Sequence, residues 1–440
     1  MDISIQLFTV LLFGCFFVLL AIGVPFAWTA LFLAIVFGFI TQGPAIYSFI
    51  IYRTWHMMGN FAMIAIPLFV FMAAMLQYSG IADDLFDALY RWMGPLRGGL
   101  AITTILVCTV LAAMVGTVGA SIAIMGLVAL PAMLQRKYNK HLALGSVMAG
   151  GGLGIMIPPS LLFIIYGVNA GISIGKLFMG GIGPGLVLAG LYATYIGVRA
   201  YLNPTFAPAL SKEERTMSLR DRFGLLKTSI LPILLILGVL GSIYLGLATP
   251  AEAAGIGAAG AILCTVIRRR LSWENLKLTC YSTLKTVGIV MWIAFGAFSM
   301  IGVFTLVGGA EFISGLLSGL PLGRWGILIF IQLILITLGM FLDPIGIVIL
   351  CVPIFNPIIV ALGFDPLWFG LIFNVNMQIA FLTPPFGFGM FYLKAVTTSD
   401  VTMTDLYRSV FPFILLQLVG LTLVMLFPPI ATWLPNMMIK

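Results

Sequence analysis

Two stretches of this chain combine residues that an unbroken apolar helix cannot hold. Residues 150–160 read Gly-Gly-Gly-Leu-Gly-Ile-Met-Ile-Pro-Pro-Ser, and residues 382–387 read Leu-Thr-Pro-Pro-Phe-Gly. Proline lacks an N–H and its ring clashes with the preceding turn. A helix reaching Pro158 must therefore stop, releasing carbonyls near Gly154 and Ile155. Gly116, Thr117, Gly119 and Ser121 form a polar, glycine-rich tip to face this break, and Asp343 and Pro344 are set against Asn374, Asn376, Thr383, Pro384 and Gly387 at the second. Hydroxyls, amide oxygens and released carbonyls are hard oxygen ligands, and half-helix C-termini add partial negative charge, a set that suits Na⁺. Gly116, Thr117, Gly154, Pro158, Asp343, Asn374, Asn376 and Thr383 are the candidates for holding that cation, through side chains or carbonyls. Half-helix N-termini at the same breaks favour an anionic carboxylate, and Gly119, Ser121, Ser160, Gln378 and Gly387 are the candidates for contacting one. Spacing alone does not assign ligands to atoms.

Each of these residues also has an ordinary structural role to be weighed. Glycine clusters in membrane helices commonly serve close packing, but a cluster joined to a Pro-Pro break and repeated elsewhere asks for more. Asp343, an acid deep in an apolar segment, is functional by default, yet Asp-Pro is also a common helix start and Asp343 could merely cap. Glu252, after Thr249-Pro250, reads as a cap. Asn374, Asn376 and Gln378 alternate, so they cannot share one face of a helix, and at least one is expected to hydrogen-bond a neighbouring helix. His56 and His141 have no Cys or carboxylate cluster beside them, which argues against metal or catalytic use.

The background in which these residues sit decides the class. The chain has 440 residues, 61% hydrophobic and 8% charged, with a mean hydropathy of +1.16. Soluble domains carry about 25% charged residues. The composition is that of a polytopic membrane protein with a single membrane domain. The net charge of +8 gathers in short loops beside apolar runs, where topology is the ordinary cause and nucleic acid is not implied. Cys15, Cys108, Cys264, Cys280 and Cys351 are scattered without paired spacing, as small core residues are. The first apolar run, from Ile3, lacks a basic n-region and a cleavage signal and reads as a retained first helix.

Apolar segments fall at 4–22, 25–42, 56–77, 99–116, 119–135, 142–157, 160–175, 180–198, 229–247, 251–267, 285–306, 325–342, 344–362, 367–382, 386–397 and 409–427. A span needs about 20 apolar residues, so 142–175 and 367–397 are each one crossing broken at a Pro-Pro pair. Segments 99–135 and 325–362 fit either re-entrant helical hairpins or pairs of continuous spanning helices, and the glycine-rich polar tip favours the re-entrant hairpin. The loops 91–97, 136–140, 199–227 and 268–285 hold most of the Lys and Arg and belong on the cytoplasmic face. That placement returns 99–135 to the face it left. The prolines then reveal a repeat: 321 − 95, 357 − 131, 384 − 158 and 385 − 159 all equal 226, and 250 − 25 gives 225. Each unit holds three helices, a hairpin, a broken helix and a closing helix, and an odd number of crossings inverts the second unit. The reading is an all-α protein of two inverted-topology repeats, 1–202 and 229–440, joined by a cytoplasmic linker at 203–228. Residues 82–95 and 309–319 mix charges with apolar positions at helical spacing and are expected along the membrane interface. Inverted repeats with midplane breaks mark secondary transporters.

From Gly151 to Ser160, Leu338 to Asp343, Ala248 to Ala254 and Thr383 to Gly387, the chain resembles the large membrane subunit of the tripartite ATP-independent periplasmic (TRAP) transporters. These belong to a wider superfamily that includes dicarboxylate/Na⁺ symporters, and a stand-alone Na⁺- or H⁺-coupled symporter or antiporter of that superfamily is the nearest rival reading. The resemblance spans essentially the full chain. It implies import of a small organic acid driven by a Na⁺ gradient across a bacterial inner membrane. It also implies a periplasmic substrate-binding (P) protein, a small four-helix membrane (Q) subunit on a separate polypeptide, and an elevator motion in which hairpins and broken helices slide as one block. Two departures stand out. The first tip reads Val115-Gly116-Thr117 where relatives carry a Ser-Gly-Ser run, and Gln378 stands where relatives tend to have a carboxylate. An intramembrane enzyme would need a nucleophile or metal cluster at depth, and the chain offers one deep acid and no deep His.

Overall fold

In lipid, every backbone N–H and C=O must be satisfied internally, which leaves helices as the only option for segments this apolar without strand alternation. The computed structural model describes residues 4–80, 96–115, 118–209 and 219–438, and among the described residues there is no strand. The order is α1 (Ile5–Ala21), α2 (Phe26–Gln42), α3 (Ala45–Met58), α4 (Ala65–Tyr78), α5 (Gly99–Val115), α6 (Val118–Gln135), α7 (Lys140–Gly152), α8 (Leu161–Ala170), α9 (Ile174–Leu202), α10 (Leu219–Tyr244) and α11 (Pro250–Ile267). The second part of the chain continues with α12 (Trp273–Leu306), α13 (Gly309–Ser318), α14 (Gly323–Gly339), α15 (Pro344–Ala361), α16 (Pro366–Leu382), α17 (Phe388–Val396), α18 (Met403–Leu426) and α19 (Pro429–Asn436). Seven of the described helices are long and apolar enough to cross a membrane.

The helix α12 is the ruler of the fold. Its 34 residues extend about 51 Å at about 1.5 Å per residue. At its start Thr279 meets Met75 of α4, and Arg270 just before it donates to the Ser79 carbonyl at 2.9 Å. Halfway along, Trp28 stacks edge-on against Trp292, and Gly296 lets the Ala27 backbone approach too closely for any side chain. Towards its end Gly302 packs on Arg53 of α3. The second hairpin, α14 and α15, climbs beside it: Asp343 shares a cavity with Lys285 and Trp292, and Pro353 shares another with Phe298 and Thr305. The hairpin's ends meet where Trp325 packs on Phe364, far from the basic start of α12. The first hairpin, α5 and α6, has its ends at the basic side instead, where Gly98 and Asn139 donate to the Ala207 and Phe206 carbonyls.

Several elements differ from the sequence expectation. Residues 45–58 form a separate helix before α4, because Arg53 and His56 interrupt the apolar run without stopping the helix. The stretch 268–285, expected as a loop, is helical from Trp273, with Ser272 capping through Asn275 N–H. The linker expected at 203–228 is likewise helical from Leu219, and the chain ends in a short helix, α19. The interfacial helix expected at 309–319 is α13. Its counterpart at 82–95 lies outside the described residues, as do Gly116 and Thr117 of the first tip. Thr249 and Glu252 form a reciprocal capping box at the start of α11, the structural role expected of Glu252.

Candidate functional site

Both Pro-Pro motifs interrupt helices as the sequence requires, and both Pro-Pro bonds are cis. At the first, α7 tightens into a 3₁₀ turn over Leu153–Ile155 before the chain resumes as α8. The Ser160 hydroxyl donates to the Ile155 carbonyl at 2.8 Å, so one carbonyl expected to be free is already engaged. Gly154 and Pro158 lie inside this break, whose residues are buried throughout. At the second, the Thr383 hydroxyl donates to the Ile379 carbonyl at 2.6 Å. The two hydroxyls thus do the same work. Each spends its proton on the backbone, leaving only lone pairs for a ligand. That polarity suits a cation and repels an anion.

Asp343 sits at the tip of the second hairpin as the N-cap of α15, its Oδ1 accepting from Ile345 N–H at 2.8 Å. Capping occupies one oxygen and leaves a carboxylate at the wall of a cavity of about 1280 Å³. The second break is tied to this tip: Phe386 N–H donates to the Met340 carbonyl at 3.4 Å, and Gly339 is pressed against Ala380. Gly387, with φ of +28°, turns the chain into α17 where a side chain would be strained.

The first hairpin reaches the same place through Tyr392 of α17. Its ring atoms lie 2.9–3.1 Å from where a Cβ on Gly119 would be, and Tyr392 also lines the Asp343 cavity. Gly151 of α7 packs on Ile122, one residue beyond Ser121, which is fully buried. The structure therefore brings Gly119, Asp343, the second break and Tyr392 together.

The amide residues of α16 divide. Asn376 donates to both the main-chain and side-chain oxygens of Gln332 on α14, at 2.9 and 2.7 Å, the interhelical bond expected of at least one of them. Asn374 donates to the Gly370 carbonyl at 2.7 Å, about 13 Å of helix from the break. Each keeps its own amide oxygen without a partner, and Gln378, fully buried, has no protein partner for either end. The donors that Ser160, Asp343 and Thr383 offer are hard oxygens, a set that fits Na⁺.

Sequence reasoning missed Lys285 and Tyr392. Lys285 counted as a basic flank, but it lines the Asp343 cavity from α12 together with Trp28, Trp292 and Phe386. Among the described residues it has no ion-pair partner. Its signal was present: position 285 follows the helical spacing of Leu278, Tyr281 and Leu284, a pattern read as a loop because of its charges.

A family model described as tripartite ATP-independent periplasmic transporter, DctM component, matches residues 13–430. The C4-dicarboxylate TRAP transporter large permease protein DctM of Pseudomonas aeruginosa is 32% identical over 378 residues, covering 86% of this chain and 87% of that one. The isethionate TRAP transporter permease protein DctMQ of Oleidesulfovibrio alaskensis is 31% identical over 421 residues, covering 95% of this chain and 65% of that one. The crystal structure of the Alcanivorax borkumensis YdaH transporter shares the fold, with a TM-score of 0.63 at 14% identity over 96% of this chain and 98% of that one.

Proposed function

The chain belongs to the DctM component family of the tripartite ATP-independent periplasmic transporters, and on that footing we propose that it couples a Na⁺ gradient to import of a small organic anion. It is a multi-pass permease and not an enzyme. A periplasmic binding protein delivers the substrate, and a small Q-type membrane subunit accompanies the chain in the bacterial inner membrane. The relative named DctMQ supports the second partner. The names of relatives, C4-dicarboxylate and isethionate, support an anionic cargo carrying a carboxylate or sulfonate.

The observation that carries the coupling ion is the polarity of the two breaks. Ser160 and Thr383 both present acceptor oxygens only, and Asp343 adds its carboxyl group beside the second. The anion is then held where Lys285 faces the same cavity, its charge balancing that of the substrate. Gly119, Ser121, Gln378 and Gly387 are the other contacts in this reading, and Ser160, expected among them, goes instead with the cation because its hydroxyl proton is spent on the Ile155 carbonyl. Hairpins opening to opposite faces support two inverted repeats, 1–202 and 229–440, moving their hairpins and broken helices as a block. Proteoliposomes holding the chain with its small subunit and binding protein test the function. Labelled C4-dicarboxylate or isethionate should accumulate when an inward Na⁺ gradient is imposed and not with K⁺ in its place. Equal uptake in K⁺ would overturn Na⁺ coupling, and uptake without the binding protein would overturn the tripartite reading.

A further inference from the structure

A second cavity, of about 470 Å³, lies at the other end of α12, lined by Arg53, His56 and Tyr52 of α3, Asn169 at the end of α8, and Thr305 and Pro353. Taking α12 as the scale, Thr305 lies 20 residues beyond Lys285, about 30 Å at about 1.5 Å per residue. This is the face away from the Arg268–Arg270 cluster, hence the outer face. No acidic side chain lines the cavity. Arg53 is half-buried, and among the described residues it makes no hydrogen bond or ion pair; its guanidinium lies over the Phe49 ring at 5.4 Å. Two cations at the basic face are engaged by contrast: Lys140 with Asp405 at 2.7 Å, and Arg270 with the Ser79 carbonyl. Gly302 makes the room, since a Cβ there would stand 2.8 Å from Arg53 Nε.

We propose that this Arg53 cavity is an outer-face binding site for the carboxylate of a small organic anion, separate from the Asp343 cavity. A guanidinium offers five donors in a planar fork that matches a carboxylate with two parallel hydrogen bonds, and among the described residues no acceptor takes them. Tyr52 and His56 supply further donors at the rim. The volume falls in the range of small-molecule sites, about 300–1000 Å³. The lining also joins parts that the transport reading would move, Asn169 and Pro353, to parts it holds still, Arg53 and Thr305, so that an anion seated there senses their relative position.

The test uses charge-selective labelling, which needs no transport. Cys15 and Cys280, the exposed cysteines, are replaced by Ser, and Asn169→Cys is introduced in right-side-out membrane vesicles. A positive local potential should make an anionic, membrane-impermeant methanethiosulfonate react about tenfold faster relative to its cationic analogue than in the Arg53→Gln variant. Millimolar succinate should slow the anionic reagent severalfold, while chloride at equal ionic strength should not. Arg53→Lys should keep the preference, which separates charge from folding damage, and Gly302→Ala should weaken it by displacing the guanidinium with its charge intact. A ratio of anionic to cationic labelling rates that is unchanged by Arg53→Gln, or no protection by succinate, would overturn the site.

Discussion

At the scale of single residues, the open question about Asp343 was whether it caps a helix or serves a site, and the geometry has it doing the first while facing the second. The two roles separate by substitution. Asp343→Asn keeps the oxygen that accepts from Ile345 N–H and removes the charge, so it should leave the thermal midpoint nearly unchanged while cutting Na⁺-driven uptake at least about tenfold. Asp343→Ala should lose uptake and also about 1 kcal/mol of cap stability, seen as a lower midpoint in detergent. Uptake unimpaired by Asp343→Asn would leave the residue as a cap only. Thr383→Ser preserves the acceptor oxygen and should keep the Na⁺ dependence of uptake near that of the parent, whereas Thr383→Val removes it and should raise the Na⁺ concentration for half-maximal uptake about tenfold. Lys285→Gln should raise KM for the anion about tenfold with little effect on the Na⁺ dependence, a split read directly from uptake curves. Asp343 and Thr383 were legible in the sequence because a polar residue in an apolar run has to be explained. The place of Lys285 and Tyr392 in the Asp343 cavity was not, because the rest of that cavity's wall lies on other helices and only the fold makes them neighbours.

At the scale of elements, the glycines show which contacts set the packing. Gly296 of α12 faces the Ala27 main chain, which cannot swing aside as a side chain can, so Gly296→Ala should cost about 1–3 kcal/mol and part α2 from α12. Gly241 of α10 has open space where a Cβ would go, so Gly241→Ala should be neutral or slightly stabilising, since alanine loses less entropy in a helix. Thermal unfolding of the purified protein compares the pair, and equal midpoints would refute the close α2–α12 approach. The hairpins and breaks were legible because proline and glycine act locally and their offset of 226 repeated. The helix α3 and the first turns of α12 were hidden for one reason. Their Arg, His, Glu and Lys residues depress mean hydropathy, so a reading by apolar length passes over helices whose charged residues face water, a cavity or an interface.

At the scale of the whole molecule, α12 runs past two cavities, one lined by Asp343 and Lys285 and the other by Arg53, and the second hairpin runs between their levels. If the hairpins and broken helices slide as a block past α2 and α12, the contact between Phe26 of α2 and Gly346 of α15 must break in each cycle. The contact between Gly126 of α6 and Val396 of α17 lies within the block and must persist. With Cys15 and Cys280 replaced by Ser, the pair Phe26→Cys and Gly346→Cys can be joined by a short, reducible bis-methanethiosulfonate. That crosslink should reduce uptake at least about tenfold and reduction should restore it, because a covalent link holds the population in one of its two states. The pair Gly126→Cys and Val396→Cys, treated identically, should transport before and after crosslinking. Uptake that survives the first crosslink would show that α15 and α2 stay together through the cycle, and transport would then have to proceed by a rearrangement confined to the tips around Asp343 and Tyr392.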